Sequence, residues 1–284
     1  MDSGHWEWGN RDNPTLFFLH GMGSAGLSYG ELAQLTMNDY HVVSIDLPGH
    51  GGQPPMANEE DYWPTRVAGR ISKLIDSLEL TEVFLVGHSW GAHLALYVAG
   101  LYPETIKGLI LLDGGYFQQD TAGKSLEQQL ENVDAFTENV RYPSWEAFIE
   151  SEKADSPRWS KEIEMGRRAQ VTEVDGEIRL AISPFSAKAI IRGIYKEQTA
   201  NIFPKVQCPV LLMRSTLPKE AETDRRKAID CLMKEIPQTV VQAIPNTSHD
   251  IYQDAPEKVV SGINEWIHAT FTAGSLTMDK EEYQ

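Results

Sequence analysis

Short apolar runs alternate with longer stretches of helical periodicity along most of the chain. The apolar runs begin near Thr15, His41, Val83, Lys107, Pro209 and Thr239. Because these runs are continuously apolar, they are typical of strands that helices cover on both faces. The alternation of strands and helices predicts βαβ units and an α/β fold with a mostly parallel sheet.

Proline positions and polar runs set the limits of several elements. Pro64 is suited to open a helix that runs to about Leu78, and Pro256 to open a final helix that runs through Trp266. Residues 5–8 predict one short edge strand. The polar residues 272–284 predict a frayed tail.

The strand and helix alternation breaks between residues 116 and 203. Ser125 to Asn139 and the run that starts at Trp145 have the pattern of polar helices. Residues 170–180 have the pattern of a hairpin whose turn, Asp175-Gly176, requires positive φ. We therefore expect a core built from residues 1–115 and 204–284, with residues 116–203 inserted as a mainly helical segment.

Charge and composition narrow the range of partners. Lys and Arg number 25 against 41 Asp and Glu, so the formal net charge is −16. Such a chain repels phosphate backbones and anionic lipids, which argues against binding to nucleic acid or membranes. With no apolar stretch near the roughly 18 residues that span a bilayer, we expect a cytoplasmic protein. Cys208 and Cys231 lack metal-ligand spacing and predict reduced thiols.

A G-x-S-x-G motif over residues 87–91 gives the main indication of chemistry. It lies between the apolar run at 83–86 and the helical run that starts at Ala92. A strand that turns sharply into a helix leaves no room for side chains beside the turn, so glycines flank it and the serine hydroxyl is exposed. Ser89 is therefore a candidate nucleophile.

Three more motifs, each after a predicted strand, strengthen this interpretation. They are His20-Gly21-Met22-Gly23-Ser24, Asp46-Leu47-Pro48-Gly49-His50-Gly51 and Ser248-His249-Asp250. With the serine motif they resemble the α/β-hydrolase superfamily over roughly residues 8–113 and 204–271. The resemblance implies a carboxylesterase-like serine hydrolase of α/β-hydrolase fold, with helices on both faces of the sheet and a cap over residues 116–203.

The nucleophile needs a base and a group that orients the base. His249 is the candidate base, on a predicted strand-to-helix loop. Glu220 is the candidate acid, because it is the first carboxylate after the strand near Pro209 and leaves room for one helix and one strand before His249. Asp113, at the end of the preceding central strand, is the alternative. Glu222 and Asp224 are less favoured, because we expect them inside the following helix.

The resemblance also assigns the two oxyanion donors to the backbone N–H groups of Met22 and Trp90. Aromatic side chains of the insertion either line the substrate pocket or anchor the cap, and anchoring is favoured for each of them. They are Tyr116, Phe117, Phe136, Trp145, Trp159 and Phe185.

Ser89, at the tip of the sharp strand-to-helix turn, excludes dehalogenase and epoxide hydrolase chemistry, because family members with those activities use aspartate at that position. We expect hydrolysis of small to medium carboxylic esters, with no cofactor and no metal ion. A small-molecule ester is the expected partner, and a homo-oligomer is possible. The alternatives are a slow ligand-sensing protein of the same fold, a C–C bond hydrolase or lyase, and an aminopeptidase.

Overall fold

The first half of the chain alternates strands and helices as its apolar pattern predicts. The structure is a computed structural model that describes residues 4–118 and 125–272. Within residues 4–118 the elements are β1 (His5–Trp8), β2 (Thr15–Leu19), α1 (Gly30–Thr36), β3 (His41–Ile45), α2 (Pro64–Ser77), β4 (Val83–His88), α3 (Trp90–Leu101) and β5 (Ile106–Leu112). The predicted edge strand and the predicted helix from Pro64 are confirmed. The predicted tail lies outside the described residues apart from Thr272.

The inserted segment between β5 and the next strand of the main sheet is mainly helical. Its elements are α4 (Leu126–Asn139), β6 (Arg141–Tyr142), α5 (Trp145–Asp155), α6 (Lys161–Ala169), β7 (Val171–Val174), β8 (Glu177–Leu180) and α7 (Pro184–Lys196). The predicted hairpin is confirmed, with φ of +53° at Asp175 and +80° at Gly176. Strand β6 pairs with β8 and makes the hairpin a three-stranded sheet. Neither β6, α6 nor α7 was predicted.

The last part of the chain returns to the main sheet. Its elements are β9 (Val210–Arg214), α8 (Glu222–Glu235), β10 (Thr239–Ala243), α9 (Ile251–Asp254) and α10 (Pro256–Ile267). A π-helical turn over His268–Thr272 ends the described chain. Within the described residues, 3-10 helices span Gly26–Tyr29, Glu59–Tyr62, Pro103–Thr105, Thr199–Asn201, Phe203–Lys205 and Lys219–Ala221.

Seven strands of the described residues form the main sheet, in the order β1-β3-β2-β4-β5-β9-β10. β1 is antiparallel to β3, and all the other neighbours are parallel. Because parallel strands end at the same edge, the loops that follow β2, β4 and β5 lie side by side. The predicted α/β architecture with a mostly parallel sheet is therefore confirmed.

Alternate residues of each strand bury against helices on opposite faces of the sheet. In β2, Phe17 and Leu19 pack into the core under α2, α3 and α8, whereas Leu16 and Phe18 pack under α1 and α10. All four side chains are fully buried. This two-sided burial explains why the strands are continuously apolar. None of the described helices is both long enough and apolar enough to cross a bilayer.

Ion pairs and hydrogen bonds fasten the inserted segment to the core on two sides. On one side, Arg158 pairs with Glu31 of α1 at 3.1 Å. On the other side, Arg192 of α7 pairs with Glu59 at 2.7 Å. The segment also has a small apolar cluster of its own, formed by Phe148, Ile149, Val171 and Ile178.

Asp46, in the loop after β3, connects loops at this edge of the sheet, and its contribution to stability can be tested. Its two carboxylate oxygens accept the N–H groups of Gly26 and Gly52, both at 2.8 Å. We expect Asp46→Ala to lower the free energy of unfolding by about 2 kcal/mol, because the buried N–H of Gly26 and the part-buried N–H of Gly52 lose their acceptor. Asp46→Asn keeps one acceptor oxygen and should lose less. Urea denaturation measures both, and equal losses for Ala and Asn would contradict this account.

Candidate active site

Ser89 occupies a strained turn between β4 and α3. Its φ is +52° and its ψ is −114°, in a region that few non-glycine residues adopt. The backbones around the turn are too close for side chains: a Cβ on Gly87 would lie 2.6 Å from the Ala92 nitrogen, and one on Gly91 would overlap the Leu19 carbonyl. The turn is therefore the sharp elbow that the glycine pattern predicts, with Ser89 at its tip.

Two histidines fix the loop that carries Met22. His20 Nε2 accepts the N–H of Leu47 at 2.9 Å, and His50 Nε2 accepts the N–H of Gly23 at 3.0 Å. Both bonds run between the loop after β2 and the loop after β3. Trp90 is the first residue of α3, where backbone N–H groups have no acceptor within the helix. Met22, Ser89 and Trp90 line the same cavity, as two N–H donors for an oxyanion would require.

His249 is held by Asp113 and not by Glu220. Its Nδ1–H donates to Asp113 Oδ2 at 2.9 Å. Asp113 directly follows β5, with a φ of +44°, and is 7% exposed. Glu220 lies in the exposed 3-10 helix Lys219–Ala221, on the loop after β9. This corrects the expected placement of Glu220 beside His249: the alternative, Asp113, makes the contact, because β5 and β9 are neighbours and β5 ends beside the loop of His249.

Other side chains complete the surroundings of the Asp113 carboxylate. Ser215 donates both its backbone N–H and its hydroxyl to it, each at 2.9 Å. Tyr116 adds its hydroxyl at 3.2 Å, and the buried Arg225 contacts the Ser215 hydroxyl at 3.3 Å. The sequence analysis missed these supports. The sequence shows only that Ser215 directly follows a predicted strand, and without the strand order this does not place it beside Asp113.

These contacts set the charges of the pair. Burial alone would raise the pKa of Asp113, but the hydrogen bonds from His249 and Ser215 outweigh it and hold the pKa below its ordinary value. Burial alone would lower the pKa of His249, and the Asp113 carboxylate reverses this and raises it. Asp113 is therefore ionised at neutral pH, and His249 is a stronger base than a free imidazole.

The cavity beside Ser89 has two chambers, and Met22, Ser89 and His249 line both. The larger chamber, of about 630 Å³, has mixed walls in which the apolar side chains of Phe117, Ile191 and Ile194 lie beside polar groups such as His93 and Gln129. The smaller chamber, of about 320 Å³, combines apolar side chains of the insertion with polar groups. The polar groups are Glu152, Arg167, Gln170 and Asp250.

Of the six insertion aromatics, Phe117 and Phe136 line the chambers. Tyr116 is buried against Asp113. Trp145 and Trp159 pack within the small apolar cluster of the insertion, and Phe185 is 46% exposed beside Tyr62. Within residues 4–118 and 125–272, no three His, Cys, Asp or Glu side chains lie together as ligands for a metal ion.

Comparison with known proteins places this geometry in a family. 2-(Acetamidomethylene)succinate hydrolase of Mesorhizobium japonicum is 23% identical over 258 residues, which cover 90% of this chain and 88% of that protein. The crystal structure of E-2-(acetamidomethylene)succinate hydrolase superposes with a TM-score of 0.76 at 21% identity, covering 93% of this chain and 94% of that one.

Epoxide hydrolase 4 of Mus musculus is 32% identical over 105 residues, but this match spans only 37% of the present chain and 29% of the mouse protein. A family model described as the alpha/beta hydrolase family matches residues 16–261. The sharp turn at Ser89 and the mostly parallel sheet are consistent with this match, which covers most of the chain. The chain belongs to the alpha/beta hydrolase family.

Proposed function

We propose that this protein hydrolyses carboxylic esters of small to medium acyl groups through an acyl-enzyme on Ser89. The observation that carries the proposal is the hydrogen bond from His249 to Asp113 at the wall of the cavity that Ser89 also lines. A hydroxyl is a poor nucleophile at neutral pH, and an oriented imidazole of raised pKa is the group that activates it.

The reaction follows from these positions. Ser89 Oγ attacks the ester carbonyl while His249 Nε2 takes its proton, and the N–H groups of Met22 and Trp90 receive the oxyanion. His249 returns the proton to the leaving alkoxide as the C–O bond breaks. A water molecule then gives a proton to His249 and attacks the acyl carbon. His249 passes that proton to Ser89 Oγ as the acyl–serine bond breaks, which releases the acid and restores the serine and the neutral imidazole. Asp113 stays ionised and holds the imidazole in the tautomer whose Nε2 is free.

We also propose that residues 116–203 act as a cap that shapes the substrate. The insertion supplies a large share of the walls of both chambers, among them Phe136, Val140 and Phe148 in the smaller chamber and Ile191 in the larger one. Such walls exclude water and select substrates by shape. Two chambers that meet at Ser89 fit an ester whose acyl and alcohol parts lie in separate compartments.

A second candidate is the reaction that the full-length relative is named for, hydrolysis of 2-(acetamidomethylene)succinate. Arg167 in the smaller chamber favours it, because a guanidinium binds carboxylates. However, Arg167 is already paired with Glu152 at 3.2 Å and donates to Gln253 at 2.8 Å, and Asp250 adds a further carboxylate. The carboxylates of Glu152 and Asp250 offset the positive charge of Arg167, which disfavours binding of a dicarboxylate substrate. Faster turnover of that substrate than of any neutral ester would reverse our preference.

The identity of the acid gives the first test. Ser89→Ala should abolish turnover of p-nitrophenyl acetate, and Asp113→Asn should lower kcat by about 10⁴, because the imidazole loses its orientation. Glu220→Gln is the matched control and should stay within about twofold of the parent, since surface changes away from a site are usually small. Collapse of activity in Glu220→Gln with retention in Asp113→Asn would contradict the assignment. A single turnover without sustained hydrolysis would favour a sensor.

The pH dependence gives a second test. His249 accepts a proton only when neutral, so kcat/KM should rise with pH through the pKa of His249. We expect that midpoint above the ordinary value of about 6.5, because Asp113 raises it. In Asp113→Asn the midpoint should fall, whereas in Glu220→Gln it should not move. Esterase rates across pH 5 to 9 measure it. If the midpoint is the same in Asp113→Asn as in the parent, a base other than His249 accepts the proton.

Filling each chamber separately tests the proposed substrate shape. Ile191→Trp narrows the larger chamber and Leu180→Trp the smaller one. With p-nitrophenyl esters of increasing acyl length, one variant should lose at least about 10-fold in kcat/KM for long chains and little for acetate, as expected when a pocket loses several methylene contacts. The variant that responds identifies the acyl chamber. If neither responds to acyl length, the chambers do not bind the substrate.

A further inference from the structure

His88, the residue before the nucleophile, contacts the loop of the candidate base. It is the last residue of β4, and its side chain is 4% exposed. Its Nε2–H donates to the backbone carbonyl of His249 at 3.0 Å. The two ring centroids lie 4.6 Å apart. One side chain of the elbow thus holds the main chain of the residue that must accept the Ser89 proton.

The same ring also touches the loop that carries Met22. A Cβ on Gly21 would lie 2.9 Å from His88 Nδ1, so only glycine leaves room for the imidazole there. On its other side the ring packs on Tyr252, with centroids 5.0 Å apart, and Nε2 lies 3.6 Å from Asp250. His88 therefore lies where the elbow, the Met22 loop and the His249 loop meet.

The hydrogen bond fixes the state of His88. Because Nε2 carries the proton, Nδ1 has the lone pair, and no described residue forms a hydrogen bond to Nδ1. Burial, together with the neighbouring His249, lowers the pKa of His88 to about 4. His88 is thus a neutral donor at physiological pH and does not compete with His249 as a base.

The side chain of His249 is 57% exposed and lines the cavity, so packing alone does not hold its imidazole in place. Asp113 restrains only Nδ1 of the ring. A single hydrogen bond leaves the ring free to pivot, which moves Nε2 relative to Ser89. Fixing the carbonyl of the same residue restrains the backbone from which the ring extends.

We propose that His88 is a positioning residue, whose Nε2–H holds the His249 backbone so that the imidazole stays aligned between Asp113 and Ser89. The proposal rests on the proposed function, because it assigns His249 the role of base. It adds a reason for histidine at this position of the motif: the residue joined covalently to the nucleophile also fixes the base, so one rigid strand end places both.

A substrate-independent measurement tests this proposal, namely the rate at which a fluorophosphonate inactivates Ser89. His88→Phe keeps a buried ring without the donor, and should label about 10- to 100-fold more slowly, since small misplacements of a catalytic group cost up to about 10². His88→Gln places an amide N–H near the position of Nε2 and should stay within about threefold of the parent rate. His88→Asn places it near Nδ1 and should be as slow as His88→Phe.

The pH profile of labelling separates positioning from general damage. In His88→Phe a loosened imidazole bonds Asp113 less well, so the midpoint should shift down, while in His88→Gln it should not. The groups that face His249 are Asp113, His88, Asp250 and Arg225. His41→Phe is the matched control: it removes a buried histidine bonded to Glu7 and Thr15 at the far end of β3, and should change stability but neither rate nor midpoint.

The outcomes are distinct. If His88→Phe is labelled as fast as the parent, the positioning role is overturned. Equal slowing of His88→Gln and His88→Asn also overturns it, because it would show that packing of the ring, and not its N–H donor, sets the rate. If His88→Phe does not fold, the Gln and Asn pair still decides between these results. If the parent protein is not labelled at Ser89, the proposed function itself fails, and this inference fails with it.

Discussion

Close approach of three backbones at the end of β4 is the constraint on which the rest of this structure depends. The turn at Ser89 is possible because Gly87, Gly91 and Gly114 present no side chains to one another: a Cβ on Gly114 would lie 2.6 Å from the Ser89 backbone. The strain at Ser89 is maintained by packing on both sides, since β4 is the central strand between β2 and β5 and is fully buried. Any loosening of this packing would let the serine relax out of the cavity.

Burial of the Asp113 carboxylate costs free energy, which other contacts of the fold must offset. A lone buried carboxylate would take up a proton, and an uncharged partner would not raise the basicity of His249. Four hydrogen bonds from His249, Ser215 and Tyr116 keep it ionised. Arg225, which is 4% exposed and bonded to the carbonyl of Pro218 at 2.8 Å, adds a positive charge behind Ser215. The acid is thus maintained by residues on β9 and α8 as much as by its own strand.

The sequence predicted the parts of this site that local pattern determines. The strands, and the positions of the candidate residues Ser89 and His249 at strand ends, follow from apolar runs and loop motifs. The carboxylate that contacts His249 could not be chosen from the sequence, because it depends on strand order: β5 pairs with β9, with Leu112 opposite Met213, and this brings Asp113 beside Ser215. Distance along the chain favoured Glu220 and carried no information about that pairing. Strand β6 has only two residues, too few to show a period, and its partner β8 lies far along the chain.

Helix α4 spans the two chambers. Phe136, near its C-terminal end, covers Gly23 in the smaller chamber, and Gln129, near its start, lines the larger one. A displacement of this one helix would open both compartments together. A molecule bound across Ser89 would then lose walls on both sides at once, and a brace on α4, such as the 2.6 Å ion pair between Asp134 and Lys188 of α7, would control access to both chambers.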